Sequence, residues 1–167
     1  YFVFDNEAYM NTGIQRSGSS PQFVWTTSTL GGKAEKKKDL PRIMAAHEIP
    51  YVATLSLAFP EDFVAKVQKA QNMEPGFKYL HIHSPCPTGW RFPEDQTIKI
   101  ARMAVETGMW VLYEVDHGRL RVTHRPSPLT PVKAYFQDQG RFSALSEQET
   151  EALQNMVEQH WRELEDS

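Results

Sequence analysis

Short apolar runs alternate along this chain with amphipathic stretches of helical period, and few folds accept that order. Tyr1–Phe4, Tyr51–Leu55 and Lys78–His83 have the character of strands. Leu40–Glu48, Pro60–Gln71 and Pro93–Thr107 have that of helices. Asp39 is placed to cap the first helix, where Pro41 is tolerated in the opening turn. Phe63, Val64, Val67 and Ala70 mark the apolar side of the second. Ile98, Ala101 and Val105 mark that of the third, which Gly108 ends. Strand and helix in strict alternation, joined by right-handed crossovers, predict an α/β fold: a largely parallel sheet flanked by helices. Trp110–Val115 and Leu120–His124, about a turn at His117-Gly118, predict a C-terminal hairpin. Two closing helices follow, Pro131–Gln139 and Ser146–Leu164. The second opens on a capping box of Ser146 and Glu149 and carries Leu153, Val157, Trp161 and Leu164 at helical spacing. The expected organisation is an α/β unit over residues 1–125 and a helical extension over 126–167, packed on that unit or on a partner subunit.

Composition narrows the function classes. The chain has 167 residues, 40% of them apolar, enough for a globular unit with a sizeable core. A formal net charge of -3 and a pI near 6.1 give no basic field, so nucleic acid is not an expected partner. No apolar stretch approaches the ~20 residues of a membrane span, and no leader pattern precedes the first strand, so a cytoplasmic location is expected. The single cysteine, Cys86, makes no internal disulfide, which agrees with a reducing compartment. Opening on Tyr1 within a strand, without methionine, the chain is expected to be the later part of a longer polypeptide.

In parallel sheets ligands gather outside the carboxyl ends of the strands. Two polar clusters fall there: "DNEAYMNTG", Asp5 to Gly13, and "SPCPTGW", Ser84 to Trp90. Magnesium takes six oxygens, commonly shared among one or two protein groups, phosphates and water. Asp5, Asn6 and a nearby carbonyl can supply such oxygens, and Thr12 with the amides around Gly13 can hold phosphate. Asn, Asp and Gly after a strand are also ordinary turn chemistry, and the residues alone leave both readings open. A lone cysteine is more often an inert buried side chain than a ligand. His81 and His83 share a strand face and with Cys86 make three donors, one short of a closed zinc site. The run from Lys33 to Lys38 suits a diphosphate, coenzyme A or ferredoxin, or simply solvent. Gln15 and Arg16 continue the first cluster.

These motifs carry a resemblance. "DNEAYMNTGIQRSGSSP" resembles the thiamine-diphosphate segment of the beta subunit of 2-oxoacid:ferredoxin oxidoreductases of the pyruvate synthase type. "HSPCPTGW" resembles a second signature of that subunit, and the similarity runs on through "PVKAYFQDQGRF". It implies that residues 1–125 are the C-terminal part of a thiamine-diphosphate-binding domain. Magnesium would be held by the Asn6 side chain and the Ala8 carbonyl, with a further acid in an upstream Gly-Asp-Gly motif. Asn11 would be the catalytic amide beside the thiazolium and substrate, with Asp5, Thr12 and Gly13 lining the cofactor. Cys86 would be one of the four thiolates of a [4Fe–4S] cluster. The implied reaction is oxidative decarboxylation of a 2-oxoacid, pyruvate by default, to acyl-coenzyme A and CO2 with reduction of ferredoxin. It would require partner subunits of alpha, gamma and delta type. A non-redox thiamine-dependent decarboxylase or carboligase, which needs no cluster ligand, is the first rival. A non-catalytic assembly module is the second.

Overall fold

The computed structural model describes residues 1–165. Five strands form one sheet: β1 (Phe2–Asp5), β2 (Tyr51–Ser56), β3 (Lys78–His83), β4 (Tyr113–Asp116) and β5 (Arg119–Val122). Their order is β1-β3-β2-β4-β5. β1, β3 and β2 run parallel, while β4 is antiparallel to β2 and β5 to β4. The parallel core and the hairpin are both as expected. Helices α1 (Leu40–Ala45), α2 (Pro60–Asn72), α3 (Pro87–Trp90), α4 (Thr97–Glu106), α5 (Lys133–Phe136) and α6 (Glu147–Glu165) complete the fold. No helix among the described residues is long and apolar enough to cross a membrane.

Local chemistry explains most boundaries. The Asp39 carboxylate accepts from Arg42 N at 3.1 Å and starts α1. α1 stops at Ala45, three residues short of the expected end, and Glu48, at φ 56°, then turns the chain. The stretch from Pro93 opens on a 3-10 turn, Glu94–Gln96, and becomes α-helical only at Thr97. His117 and Gly118, at φ 46° and 78°, are the paired left-handed residues of a tight hairpin turn. Both hairpin strands are shorter than expected: Trp110, Val111 and Leu112 enter the core ahead of β4, and Thr123, whose N–H donates to the Leu112 carbonyl at 2.9 Å, lies past the end of β5.

Register sorts the side chains onto two faces. Paired residues Val3 and His81, Asp5 and His83, and His81 and Thr54 point the same way. On the other face Tyr51, Ala53, Leu55, Leu80 and Ile82 pack with Ala70, Phe63 and Val67 of α2. Val64 of α2 is instead half exposed, as is Ile98 of α4, whose buried side is Ile100, Ala101, Ala104 and Val105. The larger core lies on the His81 face and includes Trp90, Trp110, Leu112 and Tyr135 together with Leu153, Val157, Trp161 and Leu164 of α6. At Gly108, φ 75°, an added Cβ would collide with the Trp161 ring, so α6 seats on a position that only glycine fits.

Candidate functional site

β1 and β3 end side by side. Asp5 lies opposite His83, and Ser84 N donates to the Asp5 carbonyl at 3.0 Å, so the two polar clusters leave the sheet together. The Trp90 indole Nε1 donates to the Asn6 carbonyl at 2.8 Å and ties one cluster to the other. Between them Gly89 is backed by Met10: an added Cβ would strike the Met10 sulfur and come within 3.4 Å of Cys86 Sγ. Asn6 and Cys86 therefore belong to two loops in mutual contact at the carboxyl end of the parallel strands.

Beneath the loops is a buried ionic cluster. Asp5 Oδ2 meets His81 Nε2 at 2.9 Å and Lys37 Nζ at 2.8 Å; its Oδ1 accepts from Glu7 N at 2.9 Å and from Ser19 Oγ. Both oxygens are spent within the chain. Burial alone would raise the Asp5 carboxyl, but Lys37, with hydrogen bonds from His81 and Ser19, holds it well below the usual carboxylate range. Glu7 pairs with Lys37 at 2.7 Å through Oε1 and with Arg141 at 2.7 Å through Oε2, the second contact not aligned as a hydrogen bond. Its carboxyl too is pulled down against the cost of burial, by Lys37 and Arg141. Lys37 is held protonated, since Glu7 and Asp5 outweigh desolvation. His83 packs at a tilt between Trp90 and Trp110, with ring centroids at 5.4 and 4.7 Å, and burial lowers it to about 4.

The outer part of the first loop is exposed. Asn11, Thr12 and Gly13 sit on a turn closed by Gly13 N to the Met10 carbonyl at 3.2 Å, and Thr12 Oγ1 donates to Gln15 Oε1 at 2.7 Å. The Asn11 carboxamide is thus presented outward. Asn6 Oδ1 accepts only a long contact from Ala8 N, 3.4 Å, and no hydrogen bond reaches the Ala8 carbonyl among the described residues. These two oxygens, on residues either side of Glu7, are of the kind that fills two positions of a magnesium ion. Arg16 is held by Glu35 at 3.0 Å. Lys33 donates to the Ser20 and Lys36 carbonyls at 2.6 and 3.0 Å, so it anchors a loop from inside.

Among the described residues no group of three or more His, Cys, Asp or Glu side chains is arranged to hold a metal by itself. Cys86, half buried and free, offers one thiolate where a [4Fe–4S] cluster takes four. A cavity of about 320 Å³ opens behind the ionic cluster, bounded by Lys37, Trp110 and Tyr113 and by Leu153 and Val157 of α6. Neither Asn11 nor Cys86 lines it. Sequence reasoning passed over the roles of Glu7, Lys37 and Arg141. The first two lay in plain view, one inside the motif and one inside the lysine run. Arg141 stood in "QDQGRF" beside glycine and phenylalanine, and nothing local marked it as the partner of a buried acid.

Residues 1–82, which carry the first loop and all but the last residue of the parallel strands, match the thiamine pyrophosphate enzyme C-terminal TPP binding domain. More narrowly, the chain belongs to the family of beta subunits of 2-oxoacid:ferredoxin oxidoreductases. It is 48% identical over 169 residues to pyruvate synthase subunit PorB of Methanothermobacter marburgensis, covering 98% of this chain and 58% of that protein. To ketoisovalerate oxidoreductase subunit VorB of Pyrococcus horikoshii it is 46% identical over 172 residues, covering 98% and 55%. A solved 2-oxoglutarate:ferredoxin oxidoreductase from Magnetococcus marinus is similar at 26% identity and a TM-score of 0.48, over 61% of this chain and 42% of that one. The chain spans less than three-fifths of the length of these curated relatives.

Proposed function

We propose that this chain supplies the magnesium-side half of a thiamine-diphosphate site in a multi-subunit enzyme that oxidatively decarboxylates a 2-oxoacid, pyruvate first among them. Coenzyme A takes the acyl group and ferredoxin the electrons. The observation that carries the reading is the convergence of the Asn6 and Cys86 loops, joined through Trp90, at the carboxyl end of β1 and β3. Thiamine diphosphate, when bound, supplies the carbanion and electron-sink chemistry of decarboxylation. The protein's share is position and electrostatics.

In this reading Asn6 Oδ1 and the Ala8 carbonyl take two magnesium positions, and the turn of Thr12 and Gly13, whose own donors close on Gln15 and Met10, borders the cofactor. Asp5 orders the loop from beneath. Asn11 donates a hydrogen bond to the reacting oxygen, where negative charge develops. Cys86 contributes one of the four thiolates of a [4Fe–4S] cluster. Residues 1–125 then form the cofactor-binding unit and 126–167 an extension that supports it, and the complex works in the cytoplasm.

The test is the assembled complex, assayed for thiamine-diphosphate binding with and without magnesium. Coenzyme A-dependent ferredoxin reduction is then measured on pyruvate, 2-oxoglutarate, a branched 2-oxoacid and oxalate. Magnesium-dependent binding and the highest kcat/KM on pyruvate are expected. A higher value on the branched acid moves the substrate assignment. Decarboxylation without ferredoxin reduction makes the enzyme non-redox, and absence of cofactor binding leaves an assembly module.

A further inference from the structure

The peptide linking the two proposed magnesium ligands turns on Glu7, whose φ of 65° lies in the left-handed region that residues other than glycine rarely occupy. Its side chain runs inward and is 6% exposed. Two contacts hold it there, Lys37 on Oε1 and Arg141 on Oε2, while Ser20 Oγ donates to the Glu7 main-chain carbonyl at 2.6 Å. Arg141 is itself fixed on every side. Its Nε donates to Gln139 Oε1 at 2.9 Å and its Nη2 to the Tyr135 hydroxyl at 3.1 Å, and the guanidinium carbon lies 3.6 Å from the centre of the Trp90 ring. Trp90 returns to the loop through its bond to the Asn6 carbonyl. The contacts close a circuit from Asn6 through Glu7, Arg141 and Trp90 back to Asn6.

Such a circuit is a poor device for stability alone, since a buried ion pair replaced by well-packed apolar groups is often no less stable. It is a good device for direction. A residue whose backbone is left-handed and whose side chain is anchored twice fixes the peptide planes on either side of it. Those planes lie between the Asn6 side chain and the Ala8 carbonyl.

We infer that Glu7 and Arg141 are positioning residues of the proposed magnesium site, so that a side chain from the C-terminal extension completes the cofactor loop from below. This rests on the thiamine-diphosphate reading and adds to it a role for residues past 126. Groups that orient metal ligands in this way typically govern metal affinity by roughly ten- to a hundred-fold.

The experiment compares Arg141→Met, Arg141→Lys and Glu7→Gln with the unaltered protein, all in the assembled complex. Two readouts are taken: the magnesium concentration that half-saturates thiamine-diphosphate binding, followed by tryptophan fluorescence, and the melting temperature of the cofactor-free complex. Glu114→Gln serves as a control, because Glu114 is buried in a separate ion cluster with Lys69 and Arg121. Arg141→Met is expected to raise the magnesium requirement by at least ten-fold, and Arg141→Lys by less, since it restores the charge without the planar fork. Glu114→Gln is expected to lower the melting temperature with an unchanged requirement. If Arg141→Met does not assemble, Arg141→Lys and Glu7→Gln carry the test. Variants that melt earlier yet keep the normal magnesium requirement overturn the inference while the function stands. An unaltered complex that binds no thiamine diphosphate overturns the function, and this inference with it.

Discussion

The indole of Trp90 donates to the main-chain carbonyl of Asn6, so the residue closing the second loop holds the residue opening the first. Trp90 is fully buried. Trp90→Phe keeps most of the packing and removes only the donor. Leaving the Asn6 carbonyl without it is expected to cost about 1–3 kcal/mol. Chemical denaturation of the complex measures that loss. A midpoint within error of the unaltered protein would show that the bond carries no load.

Asn6→Ala tests the site itself. Asn6 Oδ1 takes part in one long contact inside the chain, so removing it touches no core packing. Magnesium-dependent binding of thiamine diphosphate should weaken while the melting temperature of the cofactor-free complex stays in place. Unchanged affinity in the folded variant removes Asn6 from the site.

His83 predicts a pH dependence of stability. Burial disfavours its imidazolium and lowers it to about 4 from 6.5, so the unfolded chain takes up a proton that the folded chain refuses between these values. A group lowered in the folded state contributes stability that is complete above about pH 6.5 and is lost as the pH falls toward 4. At 1.36 kcal/mol per unit the effect is on the order of 3 kcal/mol. Melting curves of His83→Gln should therefore be flatter with pH across this window than those of the unaltered protein. Equal slopes would mean that another group titrates there.

Legibility in the sequence followed the range of the interaction. β3 was readable at both ends, and the capping box of α6 forms as expected, with Ser146 N donating to Glu149 Oε2 at 2.8 Å and Glu149 N to Ser146 Oγ at 3.2 Å. Both depend on residues a few positions apart. The outward turn of Val64 and Ile98 was not readable, because which side of a helix is covered depends on how it seats against the sheet. β1 shows the difficulty most clearly. Phe2 and Phe4 alternate with Val3 and Asp5, and hydrophobicity alone would bury the phenylalanines. Asp5 instead turns inward, where Lys37 and His81 satisfy it, and Phe2 and Phe4 are half exposed or more. The partner that makes a buried acid affordable lies in a distant segment, as Arg141 does for Glu7. No local pattern announces it.

Asn11→Ala is expected to separate catalysis from binding. Its carboxamide is exposed on the turn, and in the proposed function it acts only through a bond to the substrate oxygen. Turnover should fall by about 2.7–4 kcal/mol of activation free energy, the size of a lost oxyanion donor, with cofactor affinity changed far less. Parallel losses in both would make Asn11 a structural amide.

Cys86→Ser divides the redox reading from its rivals. The substitution exchanges a soft thiolate for a hard and weakly acidic hydroxyl, and a cluster held by four thiolates should become labile or be lost. The geometry limits the damage. Gly89 lies between Cys86 Sγ and the Met10 sulfur of the first loop, and serine is smaller than cysteine, so the Trp90 bond to Asn6 and the ionic cluster beneath should persist. Thiamine-diphosphate binding and release of CO2 from the 2-oxoacid should then survive while ferredoxin reduction fails. Iron content, cofactor affinity and the two activities are measured on the same preparation of the complex. Full iron with normal ferredoxin reduction in Cys86→Ser would make Cys86 a packing residue. Loss of both activities together with cofactor binding would show that the two loops form one structural unit, through which Cys86 acts without being a ligand.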